Sequence, residues 1–234
     1  METMARSHDA VGHAKIMCTS RRNKFLRRGA FQGIVRHLKA NVMREMEHWE
    51  RQEGIAFLKR VGVHEGDTVV DFGARVGHYT VPAAAIVGSK GKVYAFDKNA
   101  AALAELKEQS PATIADRIVR VHTTGVTELD RPDESVDVCL FYDILHMLPA
   151  ISRQALYKEA RRVLTDSGVL SVYPKHVAED GPADHFKDMS AKEVMREIRA
   201  SGFSLRDKIC GRLSHDDTLV SGCVWNFIKA VDAS

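Results

Sequence analysis

The stretch that decides the fold is V-V-D-F-G-A-R-V-G-H-Y-T, residues Val69 to Thr80. An apolar strand ends in Asp71, and Gly73 and Gly77 follow before a helical pattern begins. Glycine is useful at such a corner, because a backbone without Cβ turns sharply and lets a ligand approach the amides at the helix start. A glycine pair alone says little. About twenty residues later a second strand, K-V-Y-A-F-D, ends in Asp97, where a carboxylate can accept both hydroxyl protons of a ribose. Together the two segments indicate a nucleoside-containing cofactor. The plainer role for Asp97 is to cap the helix expected over Ala100–Glu108.

Outward from this pair, the strand-like runs Thr68–Phe72, Lys92–Phe96, Ile118–Val121, Val136–Phe141 and Val169–Tyr173 alternate with helical patterns such as Ala100–Glu108 and Arg153–Leu164. This is the rhythm of a parallel sheet covered on both faces. The tail changes rhythm. Ser204–Ile209 and Cys223–Ile228 read as two strands joined by a polar loop, which predicts an antiparallel pair at the sheet edge. Upstream, Phe31, Ile34, Val35, Leu38, Val42, Met46 and Trp49 recur at three- and four-residue steps, the stripe of an amphipathic helix that packs on the domain or caps the cofactor pocket. A second short helix is expected over Ile55–Val61. No internal repeat or Pro/Gly-rich linker suggests another domain after residue 66.

A chain of 234 residues with 44% hydrophobic and 28% charged residues suits one α/β domain with an added segment. No apolar run approaches the roughly 18 residues needed to span a bilayer, and Glu2, Arg6, His8 and Asp9 stand where a signal peptide would be apolar. The expectation is a cytoplasmic protein. Cys18, Cys139, Cys210 and Cys223 form no C-x-x-C pair, so reduced thiols are expected. The net charge of +3 hides an asymmetry: Lys15, Arg21, Arg22, Lys24, Arg27, Arg28, Arg36, Lys39 and Arg44 lie between Asp9 and Glu45 with no acid among them. The division expected is a basic extension over 1–44, which includes the start of the capping helix, and a single domain over 45–234. The arm is read as solvated, although nucleic acid, an anionic lipid surface or an acidic substrate would also suit its charge.

These motifs resemble the class I S-adenosylmethionine (SAM)-dependent methyltransferases, in particular the small-molecule branch that includes the ubiquinone/menaquinone C-methyltransferases. Asp71, Gly73 and Gly77 match the family's D-x-G-x-G-x-G, and Asp97 matches its acid after the second strand. R-P-D-E-S-V-D-V-C-L-F-Y-D-I-L-H-M-L, Arg131 to Leu148, is similar to its loop and fourth strand, including Asp137 and His146. Glu159 to Leu170 and Ala200 to Phe203 resemble the approaches to the fifth and sixth strands. The resemblance implies a Rossmann-like class I methyltransferase fold: a mainly parallel seven-stranded sheet with an antiparallel edge hairpin and helices on both faces. It also implies SAM as cofactor, a small-molecule methyl acceptor, and a cofactor set of Asp71, Gly73, Ala74, Arg75, Gly77, Asp97, Lys98, Gly125, Val126 and Tyr142. Two positions depart from the pattern. Arg75 replaces the usual middle glycine, where it either pairs with the methionine carboxylate or crowds the loop. Gly125 replaces an acid near the adenine, whose contact the amides of Gly125 and Val126 can replace.

Acceptor-side candidates follow the fourth and fifth strands, since ligands of open α/β sheets sit at the carboxyl ends of strands. They are Tyr142, Asp143, His146, Tyr173, Lys175 and His176, with His146 and Tyr173 as catalytic candidates. Methyl transfer is an in-line displacement, so positioning matters most and a base is needed only if the acceptor loses a proton. For His146, packing against the following helix is the competing role. The loop Lys175–Asp188, with His176, Glu179, Asp180, Asp184, His185 and Asp188, could bind a hard metal but is read as a solvated lid, as are His215, Asp216 and Asp217 in the last turn; no metal is assigned. Three rival readings differ in class. A nicotinamide-binding domain would need G-x-G-x-x-G in place of G-A-R-V-G. A non-catalytic protein of the same fold would hold SAM, its demethylated product or a partner. A nucleic-acid methyltransferase would use the basic arm, but F-Y-D-I stands where an N-P-P-Y-type motif belongs.

Overall fold

The computed structural model describes residues 37, 40–125, 127–181 and 183–231. The chain divides into two units, Met1–Met43 and Arg44–Ser234. In the first, the described residues 37 and 40–43 are helical, and Val42, placed on the apolar stripe by its spacing, is 40% exposed. Phe31, Ile34, Val35, Leu38 and all of the basic arm except Arg44 lie outside the described residues.

The second unit opens with helix α1 over residues 44–51, followed by α2 at Glu53–Val61. Thereafter come β1 (Thr68–Phe72), α3 (Thr80–Val87), β2 (Lys92–Asp97), α4 (Ala100–Gln109), β3 (Ile118–His122), β4 (Val136–Tyr142), α5 (Ala150–Val163), β5 (Leu164–Tyr173), α6 (Ala191–Ala200), β6 (Phe203–His215) and β7 (Thr218–Lys229). The seven strands form one sheet in the order β3-β2-β1-β4-β5-β7-β6. β3 to β5 run parallel, and β7 is antiparallel to both of its neighbours.

The central strands read as unbroken apolar runs because both faces are buried. On one face Val69, Val93 and Val138 pack with Met46, Trp49, Phe57, Leu58, Ala83 and Val87. On the other, Val70, Cys139 and Leu170 pack with Leu156, Tyr157, Val163, Val194 and Ile198 of α5 and α6. Helix α3, T-V-P-A-A-A-I-V, has almost no polar face and is largely buried; its Pro82 sits in the first turn, where a missing N–H costs nothing. Trp49 fixes α1 by donating its indole N–H to the Arg212 carbonyl of β6 at 2.9 Å.

Three expectations are corrected. Strand β5 starts at Leu164, so the chain passes directly from α5 into the sheet and Val169 lies mid-strand. The polar loop expected between the last two strands is itself strand: β6 and β7 pair from Phe203↔Lys229 to His215↔Thr218, leaving Asp216 and Asp217 as a two-residue turn with φ of +47° and +59°. Such a left-handed pair matches the twist of a tight hairpin. The third concerns the thiols. The register sets Cys210 opposite Cys223 with Cα atoms 4.0 Å apart, and the two form a disulfide. Cys139 is the free cysteine among the described residues, buried in the core.

The cross-link closes a short loop, with a sequence separation of 13. Its reduction should cost about 2–3 kcal/mol, or about 5–10 °C in Tm. Melting curves with and without reductant test this, with the Cys210→Ser/Cys223→Ser form as reference. A wild-type curve unmoved by reductant would show that the bond carries no stability.

Candidate cofactor and acceptor site

Two loops meet at the carboxyl ends of β1 and β2. The amides of Gly73 and Ala74 both donate to the Phe96 carbonyl, at 2.8 and 3.0 Å. Asp97 completes the tie: one carboxylate oxygen accepts the Arg75 amide and the other the Asn99 amide, each at 2.7 Å. Asn99, not Asp97, caps α4, accepting from the amides of Ala101 and Ala102. Gly73 (φ +86°) needs its freedom twice over, since a Cβ there would lie 2.9 Å from Ile144 Cγ1. At Gly77 (φ +93°) an added Cβ would lie 2.2 Å from Leu106 Cδ1, so this glycine allows the loop to close on α4.

The loops border a cavity of about 360 Å³. Its base is aromatic. Tyr79 and Tyr142 meet edge to face at 4.6 Å, with Trp49 behind the first and Tyr173 behind the second. A buried polar chain sets the Tyr142 ring: its hydroxyl donates to Ser171 Oγ at 2.7 Å, Ser171 to Asn226 Oδ1 at 2.6 Å, and the Asn226 amide to Asp207 at 2.6 Å. Phe72, Phe96, Ile144 and Leu148 supply apolar wall. The far side is the tip of the last hairpin, Ser214 to Asp216, together with Asp143 and His146.

Charge is unevenly distributed around this space. Asp71 is buried and accepts the Thr80 hydroxyl at 2.6 Å; burial pushes its pKa up to about 6 against that hydrogen bond, and Asp97 adds to the rise. His78 lies between Glu50 (Nδ1 to Oε1, 2.6 Å) and Asp217 (Nε2 to Oδ1, 3.2 Å). Burial alone would lower its pKa, but acids at both ring nitrogens favour the doubly protonated ring and raise it. Asp217 also takes Arg75 Nη2 at 3.0 Å, which links the cofactor loop to the hairpin tip. Burial lowers the pKa of His146; Asp143 opposes this, and His176 and His215 add to it.

The cavity is lined by Asp71, Gly73, Ala74, Arg75, Asp97, Lys98, Gly125, Tyr142, Asp143 and His146 among the residues named from the sequence. Val126 lies outside the described residues. Gly77 belongs to loop packing. Tyr173 is 2% exposed and absent from the cavity wall; its buried hydroxyl has no hydrogen-bond partner, an added Cβ at Gly222 would lie 2.4 Å from it, and burial pushes its pKa up to about 12. A proton-transfer role for Tyr173 is therefore withdrawn. Lys175 is paired with Asp180, and Asp137 accepts the Thr68 amide at 2.8 Å, beneath the sheet's start rather than at the site. Sequence reading missed His78, Tyr79, Asn99, Thr123, Ile144 and Ser214. The G-H-Y-T tail of the first motif carries the signal for the first two, because a helix that starts at Thr80 turns the preceding side chains towards its own N-terminus.

Two outcomes follow from this geometry. Gly77→Ala should destabilise the domain by about 2–4 kcal/mol, through positive φ and overpacking of buried Leu106, read as a lowered Tm. A wild-type Tm would mean that the loop has room. The folded pKa of Asp71 lies above its ordinary value, so its contribution to stability is present at low pH and lost as pH rises through about 6. Asp71→Asn should therefore raise the ligand-free Tm at pH 8 and leave it nearly unchanged at pH 4. An equal shift at both pH values would exclude carboxylate burial as the cause.

Comparison with known proteins agrees with this arrangement. Residues 69–168 match the family model described as a methyltransferase domain. No curated relative matches the sequence. Among solved structures, a SAM-dependent methyltransferase from Aquifex aeolicus superposes with a TM-score of 0.62 at 19% identity, covering 82% of this chain and 98% of that one. Geranyl diphosphate methyltransferase in complex with SAM gives 0.61 at 13% identity, over 82% and 90% of the two chains. The (4+2)-cyclase SpnF gives 0.60 at 14% identity, over 78% and 82%. At these identities the likeness to solved structures is one of fold, while the family model covers the segment from β1 into β5 that carries Asp71, Gly73 and Asp97. The chain carries a methyltransferase domain over residues 69–168, within a fold that it shares with SAM-dependent methyltransferases.

Proposed function

We propose that the protein transfers the methyl group of SAM to a small-molecule acceptor bound beneath the last hairpin. The observation that carries this reading is that Ser214, His215 and Asp216 line the same cavity, about 360 Å³ in all, as the loops after β1 and β2, which sets an acceptor beside the cofactor in a pocket of small-ligand size. The residues present suit the cofactor. Gly73 keeps the loop free of a Cβ beside the cavity, and each Asp97 oxygen, having accepted one amide, retains a lone pair for a ribose hydroxyl. SAM, when bound, supplies a methyl group on a positively charged sulfur.

The chain's own residues bind and orient. Arg75 holds φ of +47°, the left-handed conformation for which the related motif uses glycine, so its side chain is retained at some backbone cost. Its pair with Asp217 is about half exposed on both sides, 53% and 55%, and such pairs are worth about 0–1 kcal/mol. The guanidinium can therefore exchange Asp217 for a ligand carboxylate with a small loss. Apolar walls exclude water, and His146 lies at the cavity side where an acceptor's proton would leave.

Arg75→Gly should weaken SAM binding by about ten- to a hundredfold by calorimetry, and Lys should rescue poorly for want of the planar fork. Tighter binding by the Gly form would show obstruction instead. The acceptor class is tested by following S-adenosylhomocysteine release with panels of small hydroxy, amino and thiol compounds, against duplex DNA and transfer RNA. Turnover with nucleic acid alone would overturn the small-molecule reading.

A further inference from the structure

Asp143, His176 and His215 come from three separate parts of the chain: the end of β4, the loop after β5 and the tip of the hairpin. One ligand-type atom from each lies within 4.8 Å of the others. Asp143 Oδ2 is 2.5 Å from His215 Nδ1, and Asp143 Oδ1 is 3.7 Å from His176 Nε2. That second oxygen is buried without a hydrogen-bond partner. His176 Nδ1 meets the Gly181 carbonyl at 3.2 Å, and a carbonyl only accepts, so the ring proton is on Nδ1. Nε2 faces Asp143 Oδ1, whose nearer ring neighbour is His146 Nδ1 at 3.5 Å, itself buried without a hydrogen-bond partner.

A buried, unpartnered carboxylate oxygen with imidazole nitrogens around it suits a cation. A backbone carbonyl that fixes the tautomer of a histidine is the usual support behind a ligating imidazole. Two imidazoles and one carboxylate suit a first-row transition ion better than calcium or magnesium. In a tetrahedral set with bonds of about 2.0–2.1 Å, neighbouring ligand atoms stand about 3.3 Å apart, which lies between the two separations seen. We propose that Asp143, His176 and His215 bind one divalent transition-metal ion, with zinc as the probe, at the acceptor side of the cavity.

Asp143 and His215 line the cavity while His176 stands behind them, so an open coordination position would face the acceptor. A hydroxyl or carboxylate oxygen of the acceptor is the group such an ion would hold. That role rests on the proposed small-molecule methyl transfer; ion binding itself does not. Two of the loop's acids are engaged elsewhere, Asp180 with Lys175 and Glu179 with the Ala191 amide.

The test is calorimetric titration of chelator-treated protein with zinc, together with the visible spectrum of the cobalt(II) form. The expected result is about one equivalent bound, with intense ligand-field bands. Asn tolerates the left-handed backbone found at both His176 (φ +57°) and Asp143 (φ +54°), so His176→Asn and Asp143→Asn are the variants, each checked for an unchanged fold by circular dichroism. Either substitution should abolish saturable binding. No saturable zinc in the wild type, or equal stoichiometry in the variants, overturns the proposal. SAM titration of the same samples separates the two readings: SAM bound without zinc defeats the metal site alone, and zinc bound without SAM defeats the cofactor site alone.

Discussion

The whole site depends on Asp97 receiving two backbone amides from two different loops. Without that tie, the Phe96 carbonyl alone would join the β1–α3 corner to the β2–α4 corner. With it, the loop amides are fixed and the remaining acceptor capacity of the carboxylate points at the cavity. The same residue therefore builds the pocket and lines it. Asp71 acts at right angles to this. It is a buried carboxylate whose ionised form is disfavoured, and the Thr80 hydroxyl at the start of α3 supports it.

A second constraint runs across the sheet. Tyr142, Ser171, Asn226 and Asp207 form a chain of directed hydrogen bonds through β4, β5, β7 and β6, inside an otherwise apolar layer. Each member leaves its neighbour unsatisfied if removed, so the chain fixes the register of the antiparallel edge against the parallel centre. It also holds the Tyr142 ring at the floor of the cavity.

Much of this was legible in the residues. The strands β1 to β4 fall on the apolar runs Thr68–Phe72, Lys92–Phe96, Ile118–Val121 and Val136–Phe141, because a strand buried on both faces, as β1 and β4 are, writes itself as unbroken hydrophobicity. The loops after β1 and β2 were legible from the glycines and acids gathered at those strand ends. The antiparallel edge pair was legible too, but its length was not, since Cys210 to Gly222 is polar and its outward faces give no alternation to read. Its tip residues, including His215, were accordingly read as solvent. Gly77 was misassigned because sequence shows that a side chain is absent, and only packing shows that Leu106 fills the space. The meeting of Asp143, His176 and His215 has no local signature, for it exists only once β4, β5 and β6 are adjacent.

The hairpin's length has a consequence for how this enzyme can diversify. A ribbon of two long strands, cross-linked midway and turned by only two residues, reaches from the outer edge of the sheet back over its mouth. The hairpin's share of the cavity wall, Ser214 to Asp216, thus sits on one contiguous segment, more than a hundred positions away from Asp97. Substitution there can re-tailor what is admitted while the loops after β1 and β2 stay untouched. Asp217 marks the boundary between the two, because it joins the hairpin tip to Arg75 and His78.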